Sequence, residues 1–209
     1  MATALSPEVM RVAELVLKDL AAQADELNRL DGVAGDGDLG VTATRATEAL
    51  IPLLRESGDL APTELLRSCG MTLAKAIPSS MGTLVARGFL GAAKQDVQGE
   101  GIAAAAEWLD AARQAIERAG GATVGQKSML DAMAPAIAAL EANAAALVNE
   151  ALEAAADAAE AGAAATKQME PAVGRAGWLT ERSRGNVDAG AWLVAFVFRS
   201  WANRTEAGD

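Results

Sequence analysis

The 209-residue sequence contains no histidine and no tyrosine, only one cysteine, and 3% aromatic residues. Without histidine, histidine-ligated metal sites and Ser-His or Cys-His catalytic arrangements are excluded. The single cysteine, Cys69, cannot form a disulfide within the chain or a thiolate metal cluster by itself. Its place in the apolar helical pattern LLRSCGMTLAKA predicts a core position. Any chemistry must therefore come from carboxylates, hydroxyls, Lys, Arg, backbone amides or a bound metal.

Long apolar runs and an excess of positive charge are also lacking. No basic segment leads into an apolar stretch at the start of the sequence, and no run is long enough to span a bilayer, so we expect a cytoplasmic location. The formal net charge of -10 argues against a protein that binds nucleic acid or an anionic membrane by bulk electrostatics. An anionic ligand would need a local source of positive charge.

Alanine dominates the 51% of residues that are hydrophobic, and this composition favours closely packed helices. Helix breakers and apolar periodicity predict about eight amphipathic helices, without a convincing strand, in one all-α domain over residues 1–209. The alanine-rich stretch 142–169 is interpreted as a long solvated helix and not as a linker. The predicted segments are 7–27, 40–56 with a bend near Pro52, 61–77, 82–94, 102–119, 127–140 with a kink at Pro135, 142–169, and a last helix from about Asp188.

The stretch GDGDLG at positions 35–40 satisfies the G-x-G-x-x-G fingerprint of a dinucleotide-binding turn. That fingerprint requires a hydrophobic strand before the turn, whereas a polar helix end and a loop precede it here. Asp36 and Asp38 would also repel an anionic ligand at contact distance unless a cation lay between them. A dinucleotide-binding turn is therefore rejected.

A metal ion removes this conflict. Asp31, Asp36 and Asp38 lie within eight residues, on a loop whose glycines allow tight folding around a small ion. Hard carboxylate ligands without histidine or thiolate suit Mg²⁺, which takes further ligands from substrate phosphates. A calcium loop starting at Asp36 would place Thr47 where a bidentate Glu is required, so that alternative fails. Ordinary Asp-Gly turns remain the other interpretation.

Three further stretches could contact an anion, and each has an ordinary structural alternative. The turn PSSMGT, with Ser79, Ser80, Gly82 and Thr83, is a helix cap or a phosphate-binding turn. The stretch GGATVGQKS at 120–128 resembles a P-loop with one residue inserted before the lysine, and it is either a helix connection or an anion-binding helix start. In 173–191, Arg175, Arg182 and Arg184 form either a phosphate clamp or a solvated loop with surface salt bridges.

These four stretches, in this order and over nearly the whole chain, resemble the nucleotide-binding L subunit of the dihydroxyacetone kinases, the DhaL or Dak2 domain. The resemblance implies a barrel of eight antiparallel amphipathic helices that holds ADP or ATP and two Mg²⁺ ions at one end. It also implies an enzyme that transfers a phosphoryl group to a small ketose held by a separate K subunit. A phosphotransferase-system protein that recharges bound ADP is the alternative to ATP as phosphoryl donor.

The resemblance implies roles for particular residues. By position, Asp31, Asp36 and Asp38 correspond to the magnesium ligands, and the resemblance also makes them catalytic residues. The remaining candidates are placed at the phosphate turn (Ser79, Ser80, Gly82 and Thr83), at the nucleotide base and its loop (Gly125, Ser128, Met129 and Leu130), and near the phosphates (Arg175 and Arg182, the latter also catalytic).

Three departures from the family pattern indicate a divergent member. Leu39 and Asn186 replace histidines, and Met81 stands where a serine is expected. Because the family's K subunit holds the ketose through a histidine, a chain without histidine needs a partner for sugar phosphorylation. The ketose is of three or four carbons, with erythrulose as one candidate. The alternative functions are a regulatory or scaffold protein that retains the nucleotide site, and a metal site with a purely structural role.

Overall fold

A computed structural model describes residues 4–171 and 183–206 of the chain. The described residues form nine α-helices and one short 3-10 helix, without strands, so the all-α prediction is confirmed. The α-helices are α1 (Pro7–Ala22), α2 (Ala24–Asp31), α3 (Leu39–Glu56), α4 (Pro62–Ala76), α5 (Ser80–Ala92), α6 (Gly101–Gly120), α7 (Leu130–Ala142), α8 (Val148–Ala165) and α9 (Ala189–Glu206), and the 3-10 helix is Thr166–Gln168.

The helices pack into a closed ring. Helix α1 contacts α3, each helix from α3 to α9 contacts the next along the chain, and α9 returns to contact α1. Eight helices thus form a barrel, and the short α2 packs against the side of α3. This is the barrel of eight antiparallel helices that the family resemblance implies.

Two predicted segments differ from the observed helices. The first prediction, 7–27, is divided at Gln23 into α1 and α2, and the second of these continues to Asp31. The predicted helix over 142–169 begins only at Val148, because Asn143 ends α7 by donating its amide Nδ2 to the carbonyl of Ala139. Helices α3 and α7 continue through Pro52 and Pro135 without ending.

Small residues let the helices approach closely. Ala151, Ala155 and Ala159 follow one another at helical spacing on α8 and are fully buried, so the interpretation of this segment as a solvated helix is wrong for that face. A Cβ at Gly162 would lie 2.1 Å from the carbonyl oxygen of Asp131 on α7, which excludes a larger residue. The alanine-rich composition therefore packs one side of the barrel.

The acidic face of α8 has a specific partner. Arg199 on α9 forms ion pairs with the carboxylates of Glu153, Asp157 and Glu160, at 2.5, 2.5 and 2.9 Å. A second link joins α9 to α1, where Asp19 accepts hydrogen bonds from Ser200 and Arg204. These pairs fix α9 between its neighbours.

The connectivity brings one set of helix ends together. Helices α3, α5, α7 and α9 begin at the end of the barrel where α2, α4, α6 and α8 finish, and the connecting loops gather there. Among the described residues, no helix is long and apolar enough to cross a membrane.

Candidate functional site

A cleft of about 510 Å³ opens at the end of the barrel where α3, α5, α7 and α9 begin. The volume lies in the usual range for small-molecule sites. Each helix N-terminus carries a partial positive charge and unpaired amides, so four of them around one cleft favour an anionic ligand. The lining includes Asp31, Asp36 and Asp38, then Ser79 and Ser80, and on the opposite side Ser128, Met129 and Leu130.

The three aspartates meet on the loop between α2 and α3. One carboxylate oxygen of each lies within 4.8 Å of the others, with Asp31 partly buried and Asp36 and Asp38 exposed. Asp31 also shapes the loop, because its Oδ2 accepts hydrogen bonds from the backbone amides of Gly37 and Asp38 at 2.8 and 3.1 Å. A Cβ at Gly35 would lie 2.3 Å from Asp31 Oδ1, so the loop requires glycine there.

The loop is joined to α3 by two close contacts. Asn28 on α2 accepts the backbone amide of Gly40 at 2.7 Å through its side-chain oxygen. A Cβ at Gly40 would lie 1.9 Å from the carbonyl oxygen of Ala24, so α2 and α3 approach closely only with glycine at this position. These contacts fix the loop against the N-terminus of α3.

The electrostatics of the cluster fit a bound cation. Burial raises the pKa of Asp31, and the neighbouring charges of Asp36 and Asp38 raise it further, while hydrogen bonds from the loop amides oppose the shift. Three converging carboxylates repel one another without a counter-ion. Hard oxygen donors of this kind match the chemistry of Mg²⁺.

The turn before α5 supplies a second wall. Ser79 caps the helix, its Oγ accepting the amide of Gly82 at 3.0 Å and its carbonyl oxygen accepting both the amide and the hydroxyl of Thr83. The turn thus contains the helix cap that was one of its two interpretations. The amides of Ser80 and Met81, the first two of the helix, have no partner within it. Gly82 is also required for packing, since a Cβ there would lie 2.4 Å from the carbonyl oxygen of Ile77.

The loop before α7 is organised by an acid that sequence reasoning missed. Asp131 is buried, and its carboxylate accepts the backbone amides of Gly125 and Ser128. Those two amides are therefore occupied within the protein, which favours the connecting-loop interpretation of GGATVGQKS. The spacing S-x-x-D from Ser128 to Asp131 is a capping-box type of signal that could have identified this acid.

Lys127 lines the cleft, but its ammonium is hydrogen-bonded within the protein. Its side chain is buried, and its Nζ donates hydrogen bonds to the carbonyl oxygens of Thr166 and Asn186 at 2.7 and 2.8 Å. The backbone of Lys127 has φ of 58°, in the left-handed region that favours glycine. No local sequence signal indicated this role, because both acceptors are backbone groups far along the chain.

The turn over residues 183–188 forms the wall next to α9. Asp188 donates its amide to Thr166 Oγ1 and accepts the amide of Ala191 through its carboxylate, which caps α9. Burial raises the pKa of Asp188 to about 6, although the Ala191 amide and the Lys127 charge oppose the shift. Arg184 pairs with Glu170 at 2.7 Å on the surface, as the salt-bridge alternative predicted. Arg175 and Arg182 lie outside the described residues.

The departures at positions 39 and 81 place apolar side chains in the floor of the cleft. Leu39 is buried in the cluster formed by α1, α2 and α3, and Met81 packs against both that cluster and the one around α7. A Cβ at Gly190 would lie 3.2 Å from the Met81 methyl group, so Met81 spans the cleft floor between α5 and α9. Asn186, the third departure, is exposed and presents its backbone carbonyl to Lys127.

A closed barrel of helices with an acidic metal-type loop at one end, facing a serine-capped helix start, defines an all-α protein suited to a metal-bound anion. Residues 33–203 match the family model described as the DAK2 domain. The chain belongs to the DAK2 domain family.

Comparisons with individual relatives agree with this family assignment. The chain is 35% identical over 205 residues to D-erythrulose kinase of Mycolicibacterium smegmatis, covering 93% of this chain and 35% of that protein. It is 29% identical over 178 residues to the ADP-binding subunit DhaL of the PEP-dependent dihydroxyacetone kinase 1 of Listeria innocua, covering 83% and 84% of the two chains.

The fold also matches a solved structure. The dihydroxyacetone kinase of C. freundii in complex with AMP-PNP and Mg²⁺ superposes with a TM-score of 0.78 and 30% identity, over 97% of this chain and 35% of that one. The chain spans about a third of the length of several curated relatives that it matches.

Proposed function

We propose that the chain is the nucleotide-binding domain of a small-ketose kinase, in which a Mg²⁺-bound nucleotide donates a phosphoryl group to a ketose held by a separate K subunit. The observation that carries the proposal is the convergence of three aspartate carboxylates within 4.8 Å beside the N-terminus of α5, in one cleft. The relatives support it, since they include an ADP-binding kinase subunit and a kinase solved with AMP-PNP and Mg²⁺.

Asp31, Asp36 and Asp38 are the residues that would hold Mg²⁺, and we propose two ions. When bound, Mg²⁺ neutralises phosphate charge and so favours phosphoryl transfer. The residues of the chain itself would position the phosphates of the nucleotide. Ser79 caps the start of α5, and we propose that the Ser80 and Met81 amides and the Ser80 hydroxyl bind the phosphates. Since the Gly82 amide and the Thr83 hydroxyl already bond to Ser79, we assign these two residues a shaping role at the phosphate turn.

The opposite wall suits the base of a nucleotide. Met129 and Leu130 are buried beside the cleft, where apolar surface from Leu84, Ile116 and Ala122 also lines it. We propose that Ser128, Met129 and Leu130 contact the base, and that Gly125 belongs to the same loop. Arg175 and Arg182 are proposed to lie near the phosphates, where a guanidinium can bind phosphate oxygens bidentately.

We propose that a K subunit supplies the binding site for the ketose that accepts the phosphoryl group. This chain has no histidine, and the family's K subunit holds its ketose through one, so we propose that ketose phosphorylation needs such a partner. The ketose has three or four carbons, and the 35% identity to a D-erythrulose kinase favours including erythrulose among the substrates tested. Both ATP and a phosphotransferase-system protein acting on bound ADP are donors to be tested.

A thermal melt of the purified chain tests nucleotide binding. The midpoint is measured in EDTA, with Mg²⁺ alone, and with Mg²⁺ plus ADP or ATP, on protein shown to be free of carried-over nucleotide. A ligand that binds only the folded state raises the midpoint, by about 2.7 kcal/mol of stability at a hundred times its Kd. A rise that needs metal and nucleotide together supports the proposal, and a rise with Mg²⁺ alone indicates a structural metal.

Turnover is tested separately, because a scaffold protein could retain the nucleotide site. The chain is mixed with a K subunit and either ATP or a phosphotransferase-system donor, and phosphorylation of dihydroxyacetone and erythrulose is measured. Nucleotide binding without phosphorylation of either ketose under both donors would favour the regulatory or scaffold function.

A further inference from the structure

Lys127 is a buried cation that the proposed nucleotide chemistry does not use. Its residue exposure is 5%, and its ammonium donates to two backbone carbonyls that belong to segments 39 and 59 residues away along the chain. Burying an ammonium is costly unless it is hydrogen-bonded and has an acid nearby. The two carbonyls and the neighbouring carboxylate of Asp188 meet this requirement.

The carbonyl groups that accept hydrogen bonds from Lys127 belong to two segments next to the cleft. Thr166 starts the short helix after α8 and is fully buried, and Asn186 lies in the turn 183–188 that forms one wall of the cleft. The same turn is joined to the 3-10 helix Thr166–Gln168 by two further hydrogen bonds, from the Gly185 amide to the carbonyl of Lys167 and from the Asp188 amide to Thr166 Oγ1. Lys127 is the one contact of this group that comes from the loop before α7.

Lys127 therefore connects both walls on this side of the cleft. Its chain neighbours Ser128 and Met129 line one wall, and the carbonyl of Asn186 with Val187 belongs to the other. We propose that Lys127 is a positioning residue, whose ammonium holds the turn 183–188 against the loop before α7 and so keeps the cleft at the width that a nucleotide requires. The second part of this inference rests on the proposed function.

The test replaces the ammonium and retains most of the apolar stem. In Lys127→Met, amide hydrogen exchange of the ligand-free protein is followed by mass spectrometry in peptides covering 183–191. We expect exchange there to become at least about tenfold faster, a factor that corresponds to about 1.4 kcal/mol. Peptides from α3 and α4 should exchange as in the wild type. Unchanged exchange in 183–191, or an equal acceleration throughout the protein, overturns the proposal.

Nucleotide binding gives the second readout. The Kd of Mg-ADP, measured by calorimetry at a temperature where each variant is folded, should be about tenfold weaker in Lys127→Met. Asp19→Asn, which removes the link between α1 and α9, is the matched structural control and should lower the melting temperature without changing the Kd. Lys94→Met, an exposed lysine beyond the far end of α5, controls for the loss of one charge.

The two readouts separate the two proposals. If the wild type does not bind Mg-ADP, the proposed function fails, and the exchange comparison still decides whether Lys127 holds the turn. Faster exchange with an unchanged Kd in Lys127→Met refutes its effect on the cleft. If Lys127→Met does not fold, Lys127→Gln takes its place, because it also removes the ammonium that donates to the Thr166 and Asn186 carbonyls and should produce the same two changes in smaller measure.

Discussion

Neutralising one carboxylate of the aspartate cluster should have opposite effects on the free and the liganded protein. In Asp38→Asn, one of the three charges within 4.8 Å of each other is removed. Each repulsive pair at this separation amounts to about 0.9 kcal/mol in water. Two pairs are relieved, and screening at physiological salt reduces the sum to about 1 kcal/mol. For a chain of this size that is a rise of about 2–4 °C in the melting temperature without metal.

The liganded protein should respond in the other direction. Mg²⁺ plus ADP at a hundred times its Kd should stabilise the wild type by about 2.7 kcal/mol, or roughly 5–10 °C. Asp38→Asn removes a charged group that we propose as a metal ligand, so most of this increment should disappear. Melting temperatures are measured with EDTA and with Mg-ADP, at low and at high salt, where the gain of the metal-free variant should shrink.

Asp96→Asn is the matched control, because Asp96 is exposed beyond the far end of α5. It should leave both melting temperatures close to those of the wild type. The assignment of the metal site is refuted if Asp38→Asn retains the full Mg-ADP increment. The electrostatic argument is refuted if its melting temperature in EDTA falls by several degrees, since the carboxylate would then stabilise the fold.

Three further changes test packing and pH dependence. Gly40→Ala should destabilise the protein by about 3 kcal/mol or more, seen as a lowered urea midpoint, because the new Cβ would lie 1.9 Å from the carbonyl oxygen of Ala24. Cys69→Ala should cost about 1 kcal/mol of stability through lost packing and leave the Kd of Mg-ADP unchanged. Burial raises the pKa of the Cys69 thiol to about 11, so the native protein should not react with iodoacetamide. Burial raises the pKa of Asp188 to about 6 in the folded state, so the folded protein binds this proton more tightly than the unfolded chain does. The resulting contribution to stability is greatest below about pH 4 and declines as the pH rises to 6. Denaturant unfolding should show this decline in the wild type and not in Asp188→Asn.

The sequence was most informative where the residues that form a feature stand close together in the chain. Asp31, Asp36 and Asp38 stand close in the chain, on a loop in which a Cβ at Gly35 would lie 2.9 Å from the Asp31 carbonyl oxygen and Gly37 has φ of 73°. The cap at Ser79 likewise follows from neighbouring residues. Helix ends were predictable to a few residues where Pro or Gly marks them, as at Pro62 and Gly121.

What could not be predicted depends on partners distant in sequence. The near P-loop around Lys127 was interpreted as either a helix connection or an anion-binding helix start, and the acceptors of this lysine are carbonyl oxygens that carry no side-chain signal. The burial of α8 was missed for a related reason, since acids on one face resemble a solvated helix until Arg199 on α9 is known to face them. Tertiary contacts decided both cases.

The charge distribution explains why an acidic chain can be expected to bind an anion only together with metal. Among the described residues that line the cleft, Lys127 is the one with a cationic side chain, and its ammonium is directed to backbone carbonyls. The remaining positive potential from that part of the chain comes from the N-termini of α3, α5, α7 and α9, each a partial charge, opposed by the three aspartates. From these described groups alone, a nucleotide without Mg²⁺ would meet net repulsion, whereas bound Mg²⁺ would reverse the sign of the aspartate loop. Nucleotide affinity should therefore depend on metal far more steeply than on any single side chain of the opposite wall.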